Sequence, residues 1–342
     1  MNGYHRIAAA LGGRWPDRTP VMLHNFLLAA CEAGVTMKEY RENPETVARV
    51  FGEAVEKYGY DGILVDIDTS TLAGAVGVPV EFPDDMPAPL AGRRLERLDD
   101  VRELPPPDVE KYPGIHVWLE ATRLLARKYG SDFFIRGNCD QAPFSLACAM
   151  RGTADWLMDL SDPDNYELAH GLLEYCSEAT TQFLRLMGET GAHMVSNGDS
   201  PAGPELASPK LYREFALPYE RRVAACAHEL GLPYMLHICG KTDRILAEMI
   251  FTGADALELD HKTDVGLAHR LMKDRTTFVG NIDPSGVLAL GTPALVEQKT
   301  RELLALFSDT PRFILNAGCA IPAETPAENL KTMIRVAREH GG

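Results

Sequence analysis

The feature of this chain that most restricts its fold is a regular alternation of short apolar runs with longer segments of helical periodicity. The runs are typical of buried parallel strands, and they comprise residues 21–25, 62–68, 132–140, 192–199, 233–239, 254–260, 277–283 and 312–319. The clearest helical segments are 44–59, 163–191, 208–231 and 326–341. Eight such strand–helix units predict a closed (β/α)8 TIM barrel of the α/β class. An open doubly wound sheet is the alternative, but no G-x-G-x-x-G follows the first run.

The length of the chain suits one barrel with additional segments. We find no linker or internal repeat, so we expect residues 1–342 to form a single domain. An N-terminal extension precedes the first run. Residues 70–115 are rich in proline and charge, and they are too long for an ordinary connection. Their interspersed apolar residues predict a long insertion after strand 2 that packs near the barrel mouth, as a lid or a docking surface.

Composition and charge exclude several classes of protein. Hydrophobic residues make up 45% of the chain and charged residues 24%, as in soluble globular proteins. The net charge of −15 disfavours nucleic-acid binding. No apolar run approaches the roughly 20 residues that a membrane span needs, and the N-terminus lacks a signal-peptide core. We therefore expect a cytoplasmic protein without a membrane partner, and the odd count of seven cysteines argues against a disulfide framework.

Polar residues recur two positions apart at the carboxyl ends of the predicted strands. Side chains at i and i+2 of a strand point to the same face, and the carboxyl ends of barrel strands form the mouth where active sites lie. A single pair of this kind is more often a turn cap, but repetition on six strands predicts a polar mouth. The pairs are Asp66/Asp68, Asn138/Asp140, Asn197/Asp199, His237/Cys239, Glu258/Asp260 and Asn281/Asp283; strand 1 ends in His24-Asn25.

One histidine and two cysteines at this mouth have the chemistry of a metal site. His237 and Cys239 lie on strand 5, and Cys319 ends strand 8. One nitrogen and two sulfur donors suit Zn2+, and three protein ligands leave a fourth position for water or substrate. On the residues alone, the alternative is a hydrogen-bonded core histidine with two inert cysteines.

Two metal-free interpretations also start from these residues. A cysteine nucleophile with a histidine base has poor geometry, because His237 and Cys239 flank a single residue on one strand. An acid–base pair for sugar hydrolysis could be drawn from four carboxylates at the mouth, but it leaves both cysteines unexplained. Those carboxylates are Asp66, Asp68, Glu258 and Asp260.

Five motifs across nearly the whole chain resemble the uroporphyrinogen decarboxylase superfamily. LHICGKTDRIL at 236–246 looks like the H-x-C-G zinc segment of its corrinoid methyltransferase branch. LNAGCAIPAETPAENL at 315–330 is similar to that branch's second cysteine followed by P-x-x-T-P-x-E-N, which is the most specific match. The wider superfamily shares the segments 198–223 and VGNIDP at 279–284, and QAPFSLACAMRG at 141–152 resembles its G-P-F-T-L-A segment.

The departures from the family pattern indicate which branch the chain resembles. Decarboxylases of the superfamily carry an arginine-rich R-Q-A-G-R segment after strand 1 that binds substrate carboxylates. The equivalent segment here, HNFLLAACEAG at 24–34, contains no arginine. A polycarboxylate tetrapyrrole therefore has little to bind it, and we expect the methyltransferase rather than the lyase. The decarboxylase-type lyase and a non-catalytic subunit that binds a corrinoid protein are the alternatives.

The resemblance implies a zinc-dependent methyltransferase whose metal ligands are His237, Cys239 and Cys319. The zinc would lower the pKa of an acceptor thiol, which would attack the methyl group of methylcobalamin. We expect other polar residues of the mouth to hold the ligands or the substrates. The expected catalytic group comprises Asp199, Glu258 and Asp260, and the expected substrate-binding group comprises His24, Asn138, Asn197 and Asn281.

The methyl donor should arrive on a separate corrinoid protein. Domains that bind cobalamin base-off carry D-x-H-x-x-G, and none of the ten histidines here has an aspartate two residues before it. The acceptor is a coenzyme M-like thiol or tetrahydrofolate. A sulfonate needs a cationic partner, for which Arg136 on strand 3 is a candidate, although that arginine could equally pair with a buried acid. We expect a monomer or a homodimer.

Overall fold

The computed structural model describes residues 1–340, and its centre is a barrel of eight parallel strands. Each strand pairs with the next along the chain, and a bridge between Val21 and Leu315 joins the last strand to the first. The predicted (β/α)8 barrel is confirmed. The strands are β1 (Met22–Leu23), β2 (Gly62–Val65), β3 (Phe134–Gln141), β4 (Met194–Gly198), β5 (Tyr234–Ile238), β6 (Ala256–Leu259), β7 (Thr277–Ile282) and β8 (Phe313–Ala317).

Helices surround the barrel and connect successive strands. In chain order they are α1 (Gly3–Leu11), α2 (Phe26–Glu32), α3 (Met37–Glu42), α4 (Pro44–Tyr58), α5 (Thr71–Ala75), α6 (Pro113–Tyr129), α7 (Pro143–Arg151), α8 (Thr153–Asp159), α9 (Tyr166–Gly188), α10 (Pro209–Leu211), α11 (Leu217–Glu229), α12 (Leu246–Ile250), α13 (Val265–Met272), α14 (Pro293–Leu306) and α15 (Ala327–Glu339). Short 3-10 turns cover 98–103, 109–111, 163–165 and 200–202, and π-helical turns cover 212–216 and 284–289. Within the described residues, no helix is long and apolar enough to cross a membrane.

Helix α4 shows how local sequence signals set these boundaries. Asn43 caps its start by accepting a hydrogen bond from the Thr46 N–H, and Pro44 occupies the first helical position. Gly59 ends the helix with φ +68°, in the left-handed region. By contrast, the predicted helix 208–231 is divided, because Pro218 has no N–H to continue regular helical bonding.

The N-terminal extension closes the bottom of the barrel. Ile7 and Ala10 of α1 are fully buried among apolar side chains that point inward from seven strands. The eighth strand contributes Gly62, and a Cβ there would collide with Cδ1 of Ile7. Glycine is therefore needed at this position because the helix approaches the strand so closely. The inward-pointing residues are Met22, Phe134, Met194, Met235, Ala256, Val279 and Ile314.

The insertion after β2 packs at the opposite end of the barrel, as the sequence predicts. It contains α5, an antiparallel bridge between Val80 and Leu90, and two 3-10 turns. Arg41 fixes the tip of the bridged segment by donating hydrogen bonds to the carbonyl oxygens of Pro83 and Met86. Pro87 of the same tip lines the cavity at the barrel mouth, so the insertion forms part of the wall of that cavity.

Candidate metal centre at the barrel mouth

The structure brings His237, Cys239 and Cys319 together at the mouth. One ligand atom from each residue lies within 4.8 Å of the others. Nε2 of His237 lies 2.9 Å from Sγ of Cys239, and the two sulfur atoms are 3.5 Å apart. A disulfide would need about 2.05 Å, so both cysteines are free. His237 is the penultimate residue of β5, Cys239 directly follows that strand, and Cys319 lies two residues after the end of β8.

The surrounding backbone holds this group in place. Nδ1 of His237 donates to the carbonyl oxygen of Glu258 at 3.0 Å, which directs Nε2 toward the two sulfur atoms. The Cys239 N–H donates to Oγ of Ser200 at 3.2 Å. Gly240, with φ +84°, turns the chain after Cys239 and donates its N–H to Oδ2 of Asp260 at 2.8 Å.

The charges of the three side chains are strongly coupled. The hydrogen bond from Cys319 and the charge of His237 lower the pKa of Cys239 to about 3, against the opposing effect of burial. Burial lowers the pKa of His237, but the Cys239 thiolate outweighs it and raises that pKa to about 9. The hydrogen bond to Cys239 raises the pKa of Cys319 above its ordinary range. One thiolate is therefore present at neutral pH, and a second would need a further positive charge beside it.

The donor set fits a zinc ion on these observations. At a Zn–S distance of about 2.3 Å, tetrahedral geometry separates two thiolates by roughly 3.8 Å, close to the 3.5 Å between these sulfur atoms. Nε2 of His237 faces the sulfur atoms because Nδ1 is occupied. The group is also closed on the protein side and open to a cavity of about 250 Å³ that contacts all three residues, which leaves room for one exogenous ligand.

A buried ion pair lies beneath the group. Arg136 on β3 donates from Nη1 and Nη2 to the two carboxylate oxygens of Glu258, at 3.2 and 3.0 Å, with side chains 3% and 1% exposed. Asn316 donates to the same carboxylate at 2.6 Å, and Ser196 accepts from Nε of Arg136 at 2.8 Å. Burial opposes the charge of Glu258, but Arg136 and His237 lower its pKa to about 2. Arg136 therefore pairs with a buried acid, which is the second of the two roles that its sequence position left open.

A second polar network lines the same cavity. Nε2 of His24 lies 2.7 Å from Oδ2 of Asp66, and Asn138 donates to Oδ1 of that carboxylate at 3.1 Å. Asn197 also lines the cavity, and its Nδ2 donates to the carbonyl of Cys139 at 2.6 Å. Three of the four residues expected to bind substrate, His24, Asn138 and Asn197, thus lie together with the triad.

The remaining candidates have other surroundings. Asn281 lies outside this cavity and donates to the carbonyl oxygen of Asp260 at 3.2 Å. Asp260 accepts hydrogen bonds from two backbone N–H groups, so it shapes the loop after Cys239 rather than the cavity wall. Asp199 is fully buried behind β4, where it accepts from the N–H and Oγ of Ser145 in α7. These positions give Asp199 and Asp260 structural contacts, and Glu258 is the one expected catalytic carboxylate that lies against the triad.

Sequence reasoning missed three residues that support the site: Ser196, Ser200 and Asn316. Ser196 and Asn316 are polar residues within largely apolar strands, and both are fully buried. A polar residue at such a position needs a hydrogen-bond partner, so each carried a signal that a partner lies nearby. Ser200 begins the 3-10 turn that follows β4, and nothing in its local sequence indicates a contact with Cys239.

Comparisons with known proteins agree with the motifs. The sequence model of the family described as uroporphyrinogen decarboxylase (URO-D) matches residues 3–340. The methylcobamide:CoM methyltransferase MtbA of Methanosarcina acetivorans is 28% identical, covering 98% of this chain and 97% of the relative. The uroporphyrinogen decarboxylase of Trichlorobacter lovleyi is 26% identical, covering 96% and 97%. The resemblance stated from the sequence motifs is confirmed.

A solved structure supports the fold independently. A methyltransferase from Methanosarcina mazei superimposes with a TM-score of 0.89 at 24% sequence identity, and the match covers 99% of both chains. At this level of identity the superposition establishes the barrel and its connections.

Proposed function

The chain belongs to the uroporphyrinogen decarboxylase family, and from that premise we propose that it is a zinc-dependent methyltransferase. It would move a methyl group from a methylated corrinoid protein to a small acceptor, a thiol or tetrahydrofolate. The observation that carries the proposal is the convergence of His237, Cys239 and Cys319 at the mouth of the barrel. Relatives that match almost the whole chain are named methylcobamide:CoM methyltransferases.

One group of residues would bind the metal, and a second group would orient the acceptor. His237, Cys239 and Cys319 would hold the zinc, and Glu258 would fix the orientation of His237 through its carbonyl oxygen. When bound, zinc supplies a Lewis acid that lowers the pKa of a thiol. The cavity wall formed by His24, Asp66 and Asn138 would orient the acceptor, and restricting its motion lowers the barrier to an in-line displacement.

The proposed reaction balances without a further reagent. A thiol and a methyl-cobalt(III) corrinoid give a methyl thioether, a cobalt(I) corrinoid and one proton: the carbon–sulfur bond forms as the carbon–cobalt bond breaks, and cobalt keeps both electrons. The corrinoid is too large for a cavity of about 250 Å³. It would therefore remain on its own protein and approach the open mouth from outside.

Decarboxylation of a tetrapyrrole is the second candidate, because uroporphyrinogen decarboxylases are among the relatives. Its substrate carries several carboxylates that need cationic partners. Among the described residues, Arg136 is the one arginine or lysine that lines the mouth cavity, and Glu258 already neutralises it. The cavity therefore favours the methyltransferase. A non-catalytic subunit that only bound a corrinoid protein would have no use for two thiols at its centre.

The test offers the purified protein each substrate in turn under anaerobic conditions. We expect methylcobalamin to be converted to its cobalt(I) form, followed by its absorbance, with a methylated thiol or methyltetrahydrofolate as the other product. Removal of metal by a chelator should abolish the reaction, and added Zn2+ should restore it. Turnover of uroporphyrinogen that survives chelation, without demethylation of methylcobalamin, would refute the proposal and support the lyase.

A further inference from the structure

The charges that line the mouth cavity bear on the chemistry of the acceptor. Glu258 and Arg136 neutralise each other, and three further carboxylates remain on the wall. We call them the acidic wall: Asp66, Asp68 and Asp140. His24 pairs with Asp66, the first of the three. Asp68 and Asp140 contact no cationic side chain among the described residues.

Two lysines follow residues of the mouth in the chain, Lys241 after Gly240 and Lys262 after His261, and both pair with carboxylates outside the cavity lining. Lys262 pairs with Glu205 at 3.3 Å, and Lys241 lies 3.5 Å from Asp243. Both lysine side chains are more than half exposed to solvent, so water weakens their effect on a ligand inside the cavity. Among the described residues, the cavity lining thus offers an anionic group no arginine or lysine that is not already paired.

Two buried acceptor oxygens of residues that line the cavity, one on Asp140 and one on Asn197, are without a hydrogen-bond donor among the described residues. Asp140 is 2% exposed; its Oδ2 accepts from the Leu72 N–H at 2.7 Å, whereas Oδ1 has no partner. Asn197 is 1% exposed, and its Nδ2 donates to the Cys139 carbonyl, which fixes the amide orientation and leaves Oδ1 without a partner. Buried acceptors without partners destabilise a protein, and both residues line the cavity. A ligand that brings N–H or O–H groups would satisfy them.

The acidic wall lies across the barrel from the metal centre. Asp68 and Asp140 belong to the ends of β2 and β3, and the triad belongs to the ends of β5 and β8. In the strand order of this barrel, β2 and β3 stand opposite β6 and β7, which lie between β5 and β8. A ligand that binds the triad through sulfur and lies across the cavity would therefore place its other end beside the acidic wall.

The pKa values of Asp68 and Asp140 also favour a ligand that brings a positive charge over one that brings a negative charge. Burial and the charge of Asp68 raise the pKa of Asp140 well above its ordinary value, and burial raises the pKa of Asp68. With no cation beside them in the part of the chain that the structure describes, ionisation of one of these carboxyl groups disfavours ionisation of the other. A cationic group beside them would relieve that repulsion, whereas an anion would add to it.

The acidic wall lies opposite the triad, and the cavity lining holds two acceptor oxygens that are unpartnered among the described residues. From these observations we infer that the acceptor is a small thiol ending in a hydrogen-bond donor, cationic or neutral, such as a primary amine. A thiol ending in a sulfonate is disfavoured. The inference rests on the proposed methyltransferase function and specifies its substrate class.

Three two-carbon thiols that differ only in their terminal group test this inference. They are 2-aminoethanethiol, 2-mercaptoethanol and 2-mercaptoethanesulfonate, each supplied to the zinc-loaded enzyme with methylcobalamin. Each kcat/KM is divided by the rate constant of the same thiol without enzyme, which corrects for intrinsic reactivity. We expect the aminothiol to exceed the sulfonate by at least about tenfold, or about 1.4 kcal/mol, with the alcohol between them.

A charge-neutral variant shows whether the acidic wall causes the preference. In Asp68→Asn the amide oxygen can keep the contacts with the N–H groups of Ser70 and Thr71, so the variant removes charge with little change in shape. We expect the ratio of aminothiol to sulfonate to fall severalfold. Asp309→Asn removes the same charge from the surface, where Asp309 pairs with Lys273, and it should leave the ratio unchanged. If Asp68→Asn does not fold by circular dichroism, Asp140→Asn replaces it.

The outcomes separate the inference from the function on which it rests. A sulfonate preference in the wild-type enzyme, or a ratio that neither wall variant changes, overturns the inference and leaves the methyltransferase intact. If none of the three thiols is methylated, the proposed transfer to a thiol fails, and the inference fails with it.

Discussion

The buried pair of Arg136 and Glu258 provides the sharpest test of the energetics beneath the metal centre. Both side chains are almost fully buried, and their two hydrogen bonds measure 3.0 and 3.2 Å. The change Glu258→Gln would leave the guanidinium buried without a counter-charge. Breaking a buried pair in this way costs about 3–5 kcal/mol.

The expected cost converts to a measurable shift in the unfolding temperature. A chain of 342 residues has an unfolding entropy of roughly 0.7 kcal/mol/K, at about 2.1 cal/mol/K per residue. Dividing 3–5 kcal/mol by this entropy predicts that Tm falls by about 4–7 °C. Arg136→Met should cost a similar amount, because it leaves Glu258 charged and buried.

The double variant Arg136→Met/Glu258→Gln completes the cycle. Neither residue then leaves an uncompensated charge, so the double variant should be more stable than the sum of the two single changes predicts, by about 2–4 kcal/mol. Urea unfolding gives the free energy of unfolding of all four proteins, and thermal unfolding gives their Tm; circular dichroism follows both. A Tm for Glu258→Gln within about 1 °C of wild type, or strict additivity in the double variant, would refute the reasoning.

Three further predictions concern other parts of the molecule. Ile7→Ala removes a fully buried side chain from the helix that closes the barrel, so urea unfolding should show a loss of about 2–5 kcal/mol while methyl transfer by the folded fraction is retained. Burial raises the pKa of Glu220 well above its ordinary value and that of its neighbour Asp199 to about 6, so the native state holds protons that the unfolded chain releases, and stability should fall as pH rises from about 4 past 6. The Glu220→Gln variant should lose less stability over this pH range, and its urea midpoint at pH 8 should exceed that of the wild type. Plots of stability against pH that run parallel for the two proteins would contradict this prediction. Ser200→Ala removes the oxygen that accepts from the Cys239 N–H, and titration with a competing chelator should show zinc affinity reduced by about 10–100-fold, whereas unchanged affinity would show that the contact does not position Cys239.

The fold follows from the sequence because parallel strands buried on both faces leave continuous apolar runs. Seven of the eight predicted runs contain a whole strand of the barrel, and the run 132–140 contains all of β3 except Gln141. Helix α4 begins and ends where its proline and glycine predict. The boundaries at strand ends were predicted less well. The run 254–260, for example, contains the shorter strand Ala256–Leu259, because Asp260 at its end has already left the hydrogen-bond ladder.

The same effect explains which site residues the sequence placed correctly. His237 and Cys239 share a face because β5 keeps the two-residue period up to His237. Asn197 and Asp199 do not, because the chain leaves β4 after Gly198 and enters a 3-10 turn at Ser200. Asp199 therefore points toward the start of α7, where it accepts a hydrogen bond from the Ser145 N–H, while Asn197 faces the cavity.

The ion pair between Arg136 and Glu258 could not be predicted from the sequence, because it depends on the geometry of the closed barrel. Arg136 and Glu258 are 122 residues apart along the chain, and β3 and β6 are not neighbours in the sheet. Only the closed barrel brings the two side chains together across its interior. A single sequence identifies such charged residues in apolar strands but does not show which ones are partners.

The most direct test of the account is the zinc content of three purified proteins, measured by elemental analysis without added metal. The wild-type protein and Cys31→Ser, which changes an exposed cysteine of α2, should each contain about one zinc per chain. Cys319→Ser should remain folded by circular dichroism and contain almost none. Equal zinc content in Cys319→Ser and Cys31→Ser, or a wild-type protein that binds no zinc even when it is supplied, would contradict the assignment of His237, Cys239 and Cys319 as the metal site.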